Sequence, residues 1–197
     1  MTTTLRGAIT AIVTPFKTDG SLDEDALADF VEWQISEGIN GLVPVGSTGE
    51  AATLSLAERE RVVRIVVERT AGRVPVIAGA GSSDTAVAIE TSRVLAAAGA
   101  THLLHVSPMY NKPPQRGLLA HFRAIADASP VPIVVYNVPG RTASNVFPET
   151  TLALAEHPNI VAVKEASGNL AQIEQIIRNR RTGFSVFSGD DGLTLAV

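Results

Sequence analysis

Cysteine is missing from all 197 residues. That excludes disulfides, thiolate zinc sites and a cysteine nucleophile, and it is compatible with a reducing cytoplasm, the expected location. Basic charge is not in excess: 16 Lys and Arg stand against 20 Asp and Glu, a net charge of −4. With no basic stripe, nothing attracts a phosphate backbone or an anionic membrane, so neither nucleic acid nor membrane is an expected partner. Long hydrophobic runs are lacking too; none reaches the ~18 apolar residues of a spanning helix. The polar start, Met1 to Arg6, shows no basic segment, apolar stretch and small-residue cleavage site in sequence, so no secretory leader is expected.

Apolar residues make up 45% and charged residues 18%, the composition of an ordinary globular chain. The apolar residues fall into short runs rich in Val, Ile and Leu: Ala8–Val13, Gly41–Val45, Val74–Ala78, His102–Val106, Ile133–Tyr136, Ile160–Lys164 and Phe184–Phe187. None alternates cleanly with polar residues, the pattern of strands buried on both faces of a parallel sheet. Between them lie helical patterns: Leu22 to Glu37, Ser55 to about Thr70, Asp84 to Ala98, Gly117 to Ala128, Pro148 to Glu156 and Leu170 to Arg180. Ser21 with Glu24, and Ser55 with Glu58, each read as a capping box. Gly38, Gly72 and Gly99 stand where helices should end.

This β-α repetition leaves two architectures, a (β/α)8 barrel or an open doubly wound sheet. The polar residues favour the barrel. Gly46–Glu50, Ser107–Asn111, Tyr136–Asn137, Lys164–Glu165 and Gly189–Asp191 all close or follow separate strands. A barrel gathers such residues at one face, whereas an open sheet concentrates them at a switch point.

Lys164 closes the apolar strand Asn-Ile-Val-Ala-Val-Lys. Desolvation lowers a lysine's pKa and leaves more nucleophilic free amine, which suits a Schiff-base former. The plainer alternative is a strand-end lysine that reaches solvent or pairs with Glu165. Tyr136, one of two tyrosines, carries a hydroxyl that both donates and accepts and can shuttle protons; otherwise it is a core aromatic. Arg141 in the next loop offers a fork for a carboxylate, or is simply a solvated arginine. The Gly46-Ser47-Thr48-Gly49-Glu50 loop could hold a carboxylate on its N–H groups; it lacks the Gly-Lys-Ser/Thr of a nucleotide loop. Gly79-Ala80-Gly81 lacks the third glycine of a dinucleotide fingerprint and reads as a tight turn. Tyr110 sits in a proline-stiffened loop, as an interface anchor or a loop plug. His102, His105, His121 and His157 lack metal-ligand spacing, and Asp190-Asp191 point apart. No metal site and no cofactor are expected.

Taken in order, Ala11-Ile12-Val13-Thr14-Pro15-Phe16, Gly46-Ser47-Thr48-Gly49-Glu50, Pro75-Val76-Ile77-Ala78-Gly79, Tyr136-Asn137-Val138-Pro139-Gly140-Arg141-Thr142, Lys164-Glu165-Ala166-Ser167-Gly168 and Ser188-Gly189-Asp190-Asp191 resemble the dihydrodipicolinate synthase and N-acetylneuraminate lyase superfamily. The resemblance implies a TIM (β/α)8 barrel and a lyase of the class I aldolase type. Lys164 would form an imine with pyruvate, and Tyr136, Ser47 and Tyr110 would relay protons, Tyr110 from a neighbouring subunit. Backbone amides of Ser47 and Thr48 would hold the pyruvate carboxylate, Gly189 would join substrate binding, and Arg141 would hold the carboxylate of L-aspartate 4-semialdehyde. The product would be 4-hydroxy-tetrahydrodipicolinate, on the diaminopimelate and lysine pathway.

Val-Pro-Gly-Arg-Thr after the tyrosine favours this reaction over a pyruvate-dependent lyase of sugar acids, the alternative within the superfamily; an inactive fragment is the other. Ser47 stands where many synthases carry Thr. A homo-oligomer, dimer or tetramer, is implied. The lysine-feedback positions correspond to Leu56, Arg59, Ser83, Val87 and Met109, which offer no carboxylate and no aromatic ring for a cationic amino acid, so weak or absent lysine inhibition is expected. The sequence is read as one barrel domain, residues 1–197, that stops after about the seventh strand, with the eighth βα unit and C-terminal helical extension absent from it.

Overall fold

The computed structural model describes residues 5–197. Met1–Thr4, the start of the polar stretch in which no secretory leader is expected, lie outside the described residues. The chain forms two compact units. One comprises Leu5–Ala80 and Thr91–Leu104; the other comprises Gly81–Glu90 and His105–Val197.

In the first unit, β1 (Ile9–Ala11) runs parallel to β2 (Gly41–Val43), with α1 (Glu24–Ser36) between them in sequence. α2 (Leu56–Thr70) then packs against α1 and leads to β3 (Ile77–Gly79), which pairs in parallel with His102–Leu104 at the start of β4 (His102–Val106). Leu42, Val43, Ile77, Ala78 and Leu103 are all buried, so the strands form where apolar runs can be covered on both faces. α2 begins with the expected box: Ser55 Oγ accepts from the Glu58 N–H, and the Glu58 carboxyl accepts from the Ser55 N–H.

The expected box at Ser21 does not form. Asp23 caps α1 by accepting from the Ala26 N–H at 3.1 Å, while Ser21 donates its hydroxyl to Asp19. An aspartate directly before the helix satisfies the free N–H groups, and the serine two residues earlier joins a local turn instead. The third strand also shifts. The expected Val74–Ala78 becomes Ile77–Gly79, because Pro75 has no N–H for a ladder; its carbonyl still accepts from Leu42. Gly38, Gly72 and Gly99 all adopt positive φ at or just beyond helix ends, as expected.

The second unit holds the rest of the βα series. Asp84 Oδ1 accepts from the Ala86 N–H at the start of α3 (Thr85–Ala97), and the end of β4 leads to α4 (Gln115–Ala128). Then come β5 (Ile133–Asn137), the short α5 (Pro139–Thr142), α6 (Pro148–Ala155), β6 (Ile160–Glu165), α7 (Leu170–Asn179) and β7 (Ser185–Ser188). β5, β6 and β7 pair in parallel, and the Ser107 N–H beyond β4 donates to the Tyr136 carbonyl at 3.0 Å. α6 packs on α4, α7 and β6. The sequence pattern does not predict α5. Pro139 presets its first φ, and it ends after one turn at Ala143 in the left-handed region.

No helix among the described residues is long and apolar enough to cross a membrane.

Candidate active site

Register places Tyr136 on β5 directly beside Lys164 on β6. Paired residues in a parallel ladder project to the same face, and the lysine Nζ stands 4.7 Å from the centre of the phenol ring. Burial pushes the Lys164 ammonium below its ordinary value; Asp191 pulls it back up and Arg141 pushes it further down. The ring face attracts the cation, yet burial remains the largest influence. The Tyr136 phenol is pushed up by burial, with Arg141 opposing, so it stays protonated and able to donate at neutral pH. Lys164 makes no ion pair with Glu165. Strand alternation sends Glu165 to the opposite face, where it is fully buried.

Gly189, just past β7, makes room for this lysine. A Cβ there would lie 2.9 Å from Lys164 Cε and 2.9 Å from Ala166 Cβ. Its N–H donates to the Glu165 carbonyl at 2.7 Å, holding the end of β7 to β6. Arg141 lies on α5 and acts electrostatically on both Lys164 and Tyr136. Asp190 caps the 3-10 turn Asp191–Leu193, accepting from the Gly192 N–H at 3.0 Å, and Asp191 acts on Lys164 through its charge. No group of His, Asp and Glu among the described residues is arranged to hold a metal ion.

Tyr110 stands apart from this pair. It has φ of +69°, it is 89% exposed, and its N–H donates to the Thr142 carbonyl at 3.3 Å. Its ring makes no aromatic contact among the described residues.

Ser47 and Thr48 belong to the first unit, in the turn beyond β2. The Glu50 N–H donates to the Ser47 carbonyl at 3.2 Å, and the Thr14 hydroxyl donates to the Gly49 carbonyl at 2.7 Å. Buried Val45, at the base of the turn, holds φ of +49°, a conformation that strains a β-branched residue. Gly79 permits it: a Cβ there would meet the Val45 carbonyl oxygen at 2.2 Å. The glycines of Gly79-Ala80-Gly81 therefore do not serve the tight turn expected of them. They let backbones approach closely; a Cβ on Gly81 would lie 2.7 Å from the Val106 nitrogen.

Within the second unit, the residues that end β5 and β6 join side chains from other elements in one hydrogen-bond network. Asn137 Nδ2 donates to the Glu165 oxygens at 3.1 and 3.2 Å and to Asn145 Oδ1 at 2.8 Å. Gln172 Nε2 donates to Glu165 Oε2 at 3.1 Å, and the Ser167 N–H donates to Glu165 Oε1 at 2.8 Å. Asn137 and Glu165 are visible in the sequence as polar residues at the ends of two strands, whereas Asn145 and Gln172 carry no such signal.

A profile of the dihydrodipicolinate synthetase family matches residues 4–197. The chain belongs to that family.

Members with curated names resemble it closely. The 4-hydroxy-tetrahydrodipicolinate synthase of Maridesulfovibrio salexigens is 52% identical over 189 residues, 95% of this chain and 64% of that protein. The enzyme of the same name from Sphingopyxis alaskensis is 53% identical, over 96% of this chain and 65% of its own. The chain thus spans just under two thirds of the length of these family members, 64% and 65%.

Among solved structures, the dihydrodipicolinate synthase of Aquifex aeolicus superposes with a TM-score of 0.94 at 41% identity, covering 98% of this chain and 66% of that one. The Acinetobacter baumannii dihydrodipicolinate synthase, solved with pyruvate, gives 0.94 at 43% identity, over 96% and 65%. The expected fold class, an α/β barrel followed through its seventh strand, is the one shared with these family structures.

Proposed function

We propose that this chain carries the imine-forming half of a 4-hydroxy-tetrahydrodipicolinate synthase. The observation that supports this most is the half-buried Lys164 amine held over the Tyr136 ring at 4.7 Å.

Lys164 Nζ adds to C2 of pyruvate to give a carbinolamine. The former carbonyl oxygen leaves as water, taking protons passed through the Tyr136 hydroxyl, and an imine remains. Loss of a proton from C3 gives the enamine. Its C3 attacks the aldehyde carbon of L-aspartate 4-semialdehyde, whose oxygen takes up a proton. The amine of that substrate then adds to the imine carbon, closing the ring and expelling Lys164 as the free amine. Arg141 binds the semialdehyde carboxylate in a bidentate pair; the family resemblance assigns the pyruvate carboxylate to the Ser47 and Thr48 N–H groups, and counts Gly189 among the substrate-binding residues.

The high exposure of Tyr110 fits a phenol that completes the relay in a second copy, and so a homo-oligomer. The cytoplasm supplies both substrates. The Cyanidioschyzon merolae dihydrodipicolinate synthase, 47% identical, was solved with lysine bound. Here Val87 and Met109 present apolar surface, so this chain should respond weakly or not at all to lysine.

Product analysis on the whole natural protein tests the assignment. Condensation of pyruvate with the semialdehyde, without cleavage of N-acetylneuraminate or 2-keto-3-deoxy sugar acids, is expected. Cleavage of a sugar acid in place of condensation would move the protein to the sugar-acid lyases.

A further inference from the structure

On β5 and β6 the catalytic candidates and their immediate successors form two rows. Tyr136 pairs with Lys164, and Asn137 pairs with Glu165. Alternation puts the first row on one face and the second on the other. Asn137 and Glu165 are both fully buried. Glu165 makes no ion pair among the described residues; its oxygens instead accept from Asn137, Gln172 and the Ser167 N–H. A buried acid without a basic partner carries a heavy desolvation cost, and a well-packed apolar side chain would serve stability as well. Its retention calls for a different role.

The hydrogen bonds indicate what that role is. Glu165 is the residue after Lys164, Asn137 is the residue after Tyr136, and the two are bonded side chain to side chain. Asn137 also accepts from the Val146 N–H at 2.9 Å and donates to Asn145, fixing the segment that returns from the Arg141 helix. Gln172 on α7 closes the ring by donating to Glu165 and exchanging hydrogen bonds with Asn145 at 3.0 and 3.2 Å. One buried network therefore ties together the two strands that carry Lys164 and Tyr136 and the segment that follows the Arg141 helix.

We propose that Glu165 and Asn137, supported by Gln172 and Asn145, are positioning residues that hold the Lys164 amine and the Tyr136 phenol in reacting register. This rests on the reading of Lys164 as the imine-forming amine. Every donor around Glu165 points at it, so an amide in its place meets its own kind and must rotate away. Displacement by about 1 Å at a reacting centre costs on the order of 10²-fold in rate.

The test is the rate of borohydride-trapped adduct formation with pyruvate on the whole natural protein, as a function of pyruvate concentration. Glu165→Gln should lower the saturating rate about 30- to 100-fold, in line with that displacement. The half-saturating pyruvate concentration should change by less than about twofold, because the network does not include the turn expected to bind the carboxylate. The double change Glu165→Gln with Asn137→Asp reverses donor and acceptor and should recover much of the rate, which a merely stabilising pair would not require.

Should Glu165→Gln fail to fold, Gln172→Leu decides, since it leaves both strand residues in place; a roughly fivefold lower saturating rate is expected from partial loosening. A folded Glu165→Gln, or in its place Gln172→Leu, that traps pyruvate at the parent rate would overturn the proposal. A parent protein that traps nothing at Lys164 would instead overturn the reading beneath it.

Discussion

A Cβ on Gly189 would lie 2.9 Å from Lys164 Cε and 3.1 Å from Lys164 Cγ. Contacts that short do not persist, so Gly189→Ala must displace the lysine stem or the end of β7. The expected result is a loss of about 10²-fold in pyruvate trapping, the scale for angstrom-level misplacement of a reacting group. Thermal stability should fall far less than activity. A variant with parent trapping rates would show that the lysine reaches its partner by another route.

The charges around Lys164 set the pH at which it becomes a free amine. Asp191 holds its pKa up and Arg141 pushes it down. Asp191→Asn should therefore move the rise of the trapping rate with pH to lower pH, and Arg141→Met should move it to higher pH. The check is the trapping rate across a pH series at saturating pyruvate. Opposite movements, or none in either variant, would place these charges away from the amine.

His105 on β4 is fully buried, and burial, reinforced by the charge of His121, lowers its pKa to about 3. His102 and His121 are lowered in the same direction, in both cases chiefly by burial. In the unfolded chain histidine titrates near 6.5, so below that pH the unfolded state binds more protons than the folded one. The stability from a neutral His105 is complete above pH ~6.5 and declines by about 1.4 kcal/mol per pH unit down to pH ~3. Denaturant unfolding measured from about pH 7.5, above the unfolded-state value, to about pH 4.5, below it, should show the loss. His105→Gln should have a shallower acid limb, and an unchanged slope would contradict the assignment.

Helix capping offers a contrast within one unit. Ser55 makes both halves of a capping box, whereas the Ser21 hydroxyl and N–H both donate to exposed Asp19. Ser55→Ala should cost about 1 kcal/mol; Ser21→Ala should stay within about 0.5 kcal/mol. Equal losses in urea unfolding would mean that Ser21 does cap the first helix.

These outcomes bear on what the sequence makes legible. The runs Ile133–Tyr136 and Ile160–Lys164 stand out because residues covered on both faces need continuous apolar runs, although each strand runs one residue further, to Asn137 and Glu165. Lys164 and Tyr136 are visible because a polar residue closing such a run is rare. The buried amide network is not visible. Asn137 meets Asn145 across 8 positions and Asn145 meets Gln172 across 27, and no periodicity links amides at such separations. The one-turn helix at Pro139–Thr142 is too short for a helical pattern to form. The strained turn at Val45 becomes intelligible only beside Gly79, 34 positions later in the numbering, whose missing Cβ leaves room for its carbonyl.

The most direct measurement is peptide mapping of the whole natural protein after incubation with pyruvate and borohydride. One reduced-pyruvate adduct should appear, on the peptide containing Lys164, and it should vanish in Lys164→Arg together with turnover. An adduct on another lysine, or turnover that survives Lys164→Arg, would contradict the account.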